Sequence, residues 1–223
     1  MIKTTLVFLI TILALCATSC GETKKEAGSS EVQVEKPTAS IMVNGKAPAA
    51  FAVKLSTTAG DIVIDVTRDW SPNGADRFLE LVEMGYYKDV AFFRVIDGFM
   101  AQVGIHGDPT MNKKWKSNRI QDDSVEKSNT RGMASFAMAG RNSRTTQFFI
   151  SLGDNSNLDG MGFSPFGRVR DMTAVDKLYA GYGEGAPKGM GPGQRRVHLE
   201  GNAYLKKEFP RLDYIKSASV LVD

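Results

Sequence analysis

The sequence predicts a mainly β domain, built as a closed barrel or a sandwich, on three observations. Short segments with apolar residues at alternate positions recur from Phe51 onward, and Gly, Asn, Asp and Pro punctuate them. Helical spacing is confined to short stretches. The 223 residues are 42% hydrophobic, enough for one domain with a sizeable core plus extra segments.

The elements follow in chain order. "AVKLSTTAGDIVIDV" alternates on both sides of Thr58-Ala59-Gly60-Asp61, which predicts an antiparallel hairpin. Ser71-Pro72 supplies an N-cap and a proline at the first helical position. Ala75, Phe78, Leu79 and Val82 then form one apolar stripe, and Gly85 is suited to the C-cap. The strand-like segments "VAFFRVI", "FMAQVG", "MASFAMAG", "QFFISL" and "SPFGRV" come next. A second short helix is predicted over Thr173 to Tyr179, and the terminal "IKSASVLV" alternates as a strand suited to pair with the first. Two polar stretches, 106–131 and 181–211, are too long for turns. In the second, "EGNAYLKKEF" before Pro210 has the character of a short helix.

The N-terminus divides from the rest. Lys3 precedes an uncharged apolar run from Leu6 to Ala17, shorter than the roughly 20 residues a spanning helix needs. Ala17, Thr18 and Ser19 precede Cys20-Gly21, a pattern that resembles a bacterial lipoprotein leader and implies lipidation of Cys20. Ala17 stands where leucine is usual, so cleavage by an ordinary signal peptidase and an uncleaved anchor are the alternatives. The expected division is a leader at 1–19, a flexible Glu/Lys/Ser-rich tether at 20–46 and the domain at 47–223. The expected location is the bacterial cell envelope, facing the periplasm, with a soluble periplasmic or secreted form as the alternative.

Several chemistries are excluded. The net charge of +3, without a basic block, argues against nucleic acid as a partner. The only cysteines are Cys16 and Cys20, so the mature domain has no internal disulfide, zinc thiolate or cysteine nucleophile. His106 and His198 lack ligand spacing, so no metal is expected. The glycines of "GYGEGAPKGMGPG" match no phosphate-binding fingerprint and read as a mobile loop. Asp122-Asp123 reads as a solvated face.

Three segments carry the functional signal. "FFRVIDGFMAQVG" puts Arg94 on a strand, with Phe99, Met100 and Gln102 beyond an Asp97-Gly98 turn; period-two alternation gives Met100 and Gln102 one face. "MASFAMAGRNSRTTQFFI" adds Ala137, Gln147 and Phe149, the last two also sharing a face, and "NLDGMGFSPFG" adds Leu158 and Phe163. One arginine and two glutamines among large apolar groups suit a pocket for an apolar ring beside an amide.

These residues, Phe92 to Gly104, Ser135 to Gly140, Gln147 to Ile150, Leu158 to Gly160 and Phe166 to Val169, resemble the ordered motifs of the cyclophilins, peptidyl-prolyl cis/trans isomerases. The resemblance spans roughly residues 51–179 and the final strand. It implies a closed eight-stranded antiparallel β-barrel capped by two short α-helices, with no cofactor and proline-containing polypeptides as partners. It further implies that Arg94 is the catalytic arginine and that Phe99, Met100, Phe149 and Leu158 form the proline pocket. Gln102, Ala137 and Gln147 would hold the substrate backbone. Three positions depart from the pattern. Asn157 replaces the tryptophan that contacts cyclosporin, Phe163 replaces the pocket histidine, and Met138 stands where asparagine is common. The expected protein is a monomer that accelerates Xaa-Pro rotation in exported proteins, tethered to the membrane through a lipid on Cys20. A non-catalytic proline-peptide binding module or chaperone, and a purely structural barrel, are the competing readings.

Overall fold

The computed structural model describes residues 40–221. The expected leader, Cys20 and the tether as far as residue 39 lie outside the described residues. From Ser40 the chain runs along the first helix, where Ser40 Oγ and the Ile41 N–H donate to the Glu83 carboxylate.

Strands β1 (Ala50–Thr57) and β2 (Asp61–Thr67) form the expected hairpin, in register from Ala50↔Thr67 to Ser56↔Asp61. The turn closes where the Thr57 N–H donates to the Gly60 carbonyl, with Gly60 at φ 124°. Helix α1 (Pro72–Glu83) buries Ala75, Phe78, Leu79 and Val82, and Leu81 widens the stripe. Its C-terminus is a glycine-capped reversal: Gly85 N–H donates to Val82 and Tyr86 N–H to Leu81. Its N-terminus differs from expectation. Ser71 makes no side-chain cap; Asp123, from the 106–131 segment, accepts the Asn73 and Gly74 N–H groups instead.

The remaining strands are β3 (Val90–Ala91), β4 (Arg94–Ile96), β5 (Met100–Val103), β6 (Met133–Phe136), β7 (Phe148–Ser151), β8 (Pro165–Val169) and β9 (Tyr214–Leu221). They pair in the order β3-β9-β1-β2-β8-β6-β7-β5-β4, and every pairing is antiparallel. The expectation of a closed eight-stranded barrel is therefore corrected to an antiparallel half-barrel, nine-stranded among the described residues. The physical reason is local. Val90 to Ile96 is interrupted at Phe92-Phe93, so its first part pairs with β9 and its second with β5, and the two parts are the terminal strands of the row.

One sheet face and α1 enclose the core. Phe78, Tyr87, Phe148 and Phe166 meet there with ring centroids 4.8–6.1 Å apart, mostly edge to face or tilted.

The helix expected over Thr173 to Tyr179 is only a 3-10 turn at Val175–Lys177, because the backbone leaves helical geometry at Leu178 (ψ 134°). The two long segments instead carry helices of their own, α2 (Pro109–Trp115) and α3 (Gln194–Glu208). Helix α3 buries Val197, Tyr204 and Leu205 against Ala91, Phe93 and Ile105 as a second apolar cluster. It breaks at Gly201 (φ 57°), where a Cβ would meet the Gly107 carbonyl at 2.0 Å. That close approach lets the Asn202 N–H donate to Gly107 and locks the two segments together.

Candidate functional site

Strand register builds the site. Arg94 lies opposite Gln102, Gln102 opposite Phe149 and Phe149 opposite Ser135 across β4, β5, β7 and β6. Met100, two residues from Gln102, shares this face. The alternate residues Ala101, Val103, Phe148 and Ile150 point into the core, so Phe148 and Phe149 separate to opposite sides of the sheet.

Met100, Phe149 and Leu158 form an apolar cluster distinct from the core, flanked by Ile96, Phe99, Ala137 and Phe163. The Phe149 and Phe163 rings meet edge to face, centroids 5.6 Å apart. All ten residues expected in this region, Arg94, Phe99, Met100, Gln102, Ala137, Met138, Gln147, Phe149, Leu158 and Phe163, line one cavity of about 310 Å³. Larger cavities lie elsewhere, one of about 470 Å³ beside Asp65 and Arg170 and one of about 760 Å³ between α2 and α3. Neither joins an apolar floor to a connected set of polar groups as this one does.

That connected set runs along one wall. Arg94 Nη1 donates to Gln102 Oε1 at 3.0 Å, and Gln102 Nε2 donates to Gln147 Oε1 at 3.0 Å. Ala137 N–H is engaged by the Gln147 carbonyl, which ties the two edges of the turn together. Met138 is half-buried, and its terminal methyl lies beside Gly162. Asn157, at the departed tryptophan position, is exposed.

Sequence reasoning missed four supporting residues. Asn129, fully buried, donates to Asp159 and to the Phe163 carbonyl and accepts from Ser135 Oγ. Asn155 Nδ2 donates to the Phe99 carbonyl at 2.7 Å. Between them these two amides fix the wall that carries Phe99, Leu158 and Phe163. Burial alone would raise the Asp159 pKa, but the donors from Ser128 and Asn129 outweigh it and hold the carboxyl below its ordinary value. The other two come from the 181–211 segment: Gln194 lines the cavity, and Glu184 pairs with Arg94. Glu184 Oε1 accepts from Arg94 Nε at 2.7 Å and Oε2 from Nη2 at 2.6 Å. The Arg94 guanidinium holds the Glu184 carboxyl below its usual range, and the Gly185 N–H adds to this. Apart from Ser135, six residues from Asn129, and the adjacent Gly185, these partners are 30 to 90 residues apart, so no local signal marked the contacts.

The Asp122-Asp123 pair also differs from the expected solvated face. The Asp123 side chain is only 5% exposed; besides capping α1 it accepts from Ser71 Oγ at 2.6 Å and from Arg144 Nη2 at 3.1 Å. Arg144, itself 2% exposed, sits in the turn that leads to Gln147. The "GYGEGAPKGMGPG" stretch, expected as a mobile loop, is held by backbone bonds from Gly191 N–H to Glu184 and from Ala186 N–H to Gly191.

Comparison with known proteins gives the chain's family and its fold relatives. Residues 52–190 match the family model described as cyclophilin type peptidyl-prolyl cis-trans isomerase/CLD. The chain is 34% identical over 158 residues to peptidyl-prolyl cis-trans isomerase B of Escherichia coli K12, covering 66% of this chain and 90% of that one. It is 38% identical over 136 residues to human peptidyl-prolyl cis-trans isomerase-like 3, covering 57% and 81%. Among solved structures, a cyclophilin-type isomerase from Cryptosporidium parvum superposes with a TM-score of 0.58 at 24% identity, over 78% of this chain and 99% of that one. The same protein solved in the presence of the dipeptide Ala-Pro gives 0.56 at 24% identity, over 77% and 99%.

Proposed function

The chain belongs to the cyclophilin-type peptidyl-prolyl cis-trans isomerase family, and from that premise we propose that Arg94 drives Xaa-Pro rotation over the cavity floored by Met100, Phe149 and Leu158. Its class is that of a peptidyl-prolyl isomerase.

The barrier to be lowered is C–N resonance, about 18–20 kcal/mol. In the twisted state the prolyl nitrogen regains its lone pair and becomes an acceptor that neither planar isomer offers. A guanidinium N–H aimed at it stabilises the twisted state selectively. Arginine suits the task because it stays protonated and presents fixed donors. Phe99, Phe163 and the apolar floor take the proline ring, and Gln102, Gln147 and Ala137 with Met138 lie along the substrate backbone. No proton transfer is needed.

The observation that carries this reading is the meeting of Arg94, the two glutamines and an apolar floor in one cavity. Its test is cis-to-trans relaxation of a short Ala-Pro peptide with wild type and Arg94→Ala. Wild type accelerates relaxation and Arg94→Ala loses about 100-fold to 1,000-fold, the range for one donor to developing charge. No acceleration with any residue before proline would sink the reading.

A second reading, a proline-peptide binding module with little turnover, is favoured by the engaged guanidinium and by Phe163 and Asn157. Retained peptide binding without acceleration would select it. We further propose that the protein acts as a monomer on exported polypeptides, held at the cell envelope through a lipid on Cys20. Mass spectrometry of the mature N-terminus decides the anchor: an unmodified N-terminus elsewhere rejects it.

A further inference from the structure

We infer that Glu184 is the positioning residue for Arg94, and that this is a function of the glycine-rich start of the 181–211 segment. The inference rests on the isomerase reading above.

The pairing is specified by backbone register. Gly183 forms an antiparallel bridge with Val95, which sets Glu184 directly opposite Arg94, one step along each strand. Two loop positions packed on it admit only glycine. A Cβ at Gly189 would lie 2.3 Å from the Glu184 carbonyl oxygen, and one at Gly191 would lie 2.9 Å from it. Gly191 N–H donates to that carbonyl at 2.8 Å, and Gly185 N–H donates to Glu184 Oε1 at 2.8 Å. The carboxylate is therefore anchored before it meets the arginine.

What it does to the arginine follows from donor bookkeeping. A guanidinium has five N–H donors in one plane. Glu184 takes one from Nε and one from Nη2, and Gln102 takes one from Nη1. Two remain, one on Nη1 and one on Nη2. The second Nη1 N–H is directed at Met100 Sδ, a weak acceptor 4.0 Å away on the pocket floor, so it faces the place where a proline ring would lie. An unpaired arginine on a strand would sample several rotamers; a two-point ionic clamp fixes the plane and turns one N–H inward. The charged groups around Glu184 are Arg94 and Lys188, with Arg195 in the same adjoining cavity. Neither Lys188 nor Arg195 competes with it for the clamp, since the Glu184 oxygens are taken by Arg94 and Gly185.

The experiment measures isomerisation of an Ala-Pro peptide by wild type, Glu184→Gln, Glu184→Ala, Arg94→Ala and the Arg94→Ala/Glu184→Ala double variant. It adds the Arg94 Nε–H resonance. Glu184→Ala and Glu184→Gln are expected to lose about tenfold to 100-fold in kcat, the scale of a small misplacement of a reacting group. KM is expected to change much less. In the Arg94→Ala background, Glu184→Ala adds no further loss. The Nε–H signal is expected to be sharp and slow to exchange in wild type and exchange-averaged in Glu184→Gln. Should Glu184→Ala unfold, Glu184→Gln, which keeps the shape, decides. Full activity in Glu184→Gln, or an equal further loss in the Arg94→Ala background, overturns the inference alone. A wild type without activity overturns the isomerase reading and this inference together.

Discussion

Replacing Asp123 by alanine is expected to destabilise the domain by about 3–5 kcal/mol, a large loss for one carboxylate outside the apolar core. Two of its partners are the N–H groups of Asn73 and Gly74 in the first turn of α1; losing a helix cap costs about 1 kcal/mol. The others are Ser71 Oγ, Asn73 Nδ2 and Arg144 Nη2. Arg144 is buried, and stripping a buried ion of its partner costs about 3–5 kcal/mol. Arg144 also donates to the Gln121 carbonyl, and Asp122 lies 3.6 Å from its Nε, too far for a hydrogen bond but close enough to retain part of the attraction. The residual partners pull the arginine contribution down, so the total stays within about 3–5 kcal/mol and not above it. Urea unfolding is the direct assay, with the midpoint falling and m unchanged. In thermal melts, at about 2–4 °C per kcal/mol for a domain of this size, Tm drops by about 6–20 °C. Asp123→Asn, which keeps an acceptor and loses the charge, falls between. A change within about 0.5 kcal/mol, ordinary for a surface substitution, would refute the account and return Asp123 to the solvated face that the sequence suggests.

Phe163→Ala removes an edge-to-face partner of Phe149, a pair worth about 0.5–1.5 kcal/mol beyond its area. The expected result is a rise in KM of about threefold to tenfold for Ala-Pro peptides with kcat near wild type; a loss confined to kcat would contradict its role as a pocket wall. His106 is held below its ordinary pKa by burial, and its Nδ1 accepts the Asp108 N–H, which requires the neutral ring. The folded protein thus binds fewer protons here than the unfolded chain, so this contribution is intact above about pH 6.5 and declines as the pH falls through that value. Titration of the ring by NMR is expected to give a midpoint below 6.5, and a midpoint at or above the free value would reject the burial argument.

Much of the fold was legible because it is written in local terms. Alternation in Phe51 to Val66 and the Thr58–Gly60 turn specify the hairpin, and apolar residues at helical spacing with Gly85 specify α1. The site's own face was legible for the same reason: Met100 and Gln102, and Gln147 and Phe149, alternate with residues that must enter the core. The second helix was misread because Thr173 to Lys177 has helix-compatible residues but turns away at Leu178. The barrel count failed because only pairing partners, which local alternation does not name, show that Val90 to Ile96 divides between two neighbours.

By itself, then, the amino-acid order determined a β domain, its family motifs and a cavity wall of Arg94, two glutamines and large apolar groups. Tertiary structure alone decided how those groups are held. Glu184 reaches Arg94 across 90 positions, Asp123 caps a helix 50 positions away, and Asn129 and Asn155 brace the pocket wall through backbone carbonyls. The physical reason is the same in each case. Apolar burial repeats along a strand or helix and leaves a period in the sequence, whereas a single ion pair or amide bond leaves none. A charged residue in a polar stretch reads as solvated until the fold brings its partner to it.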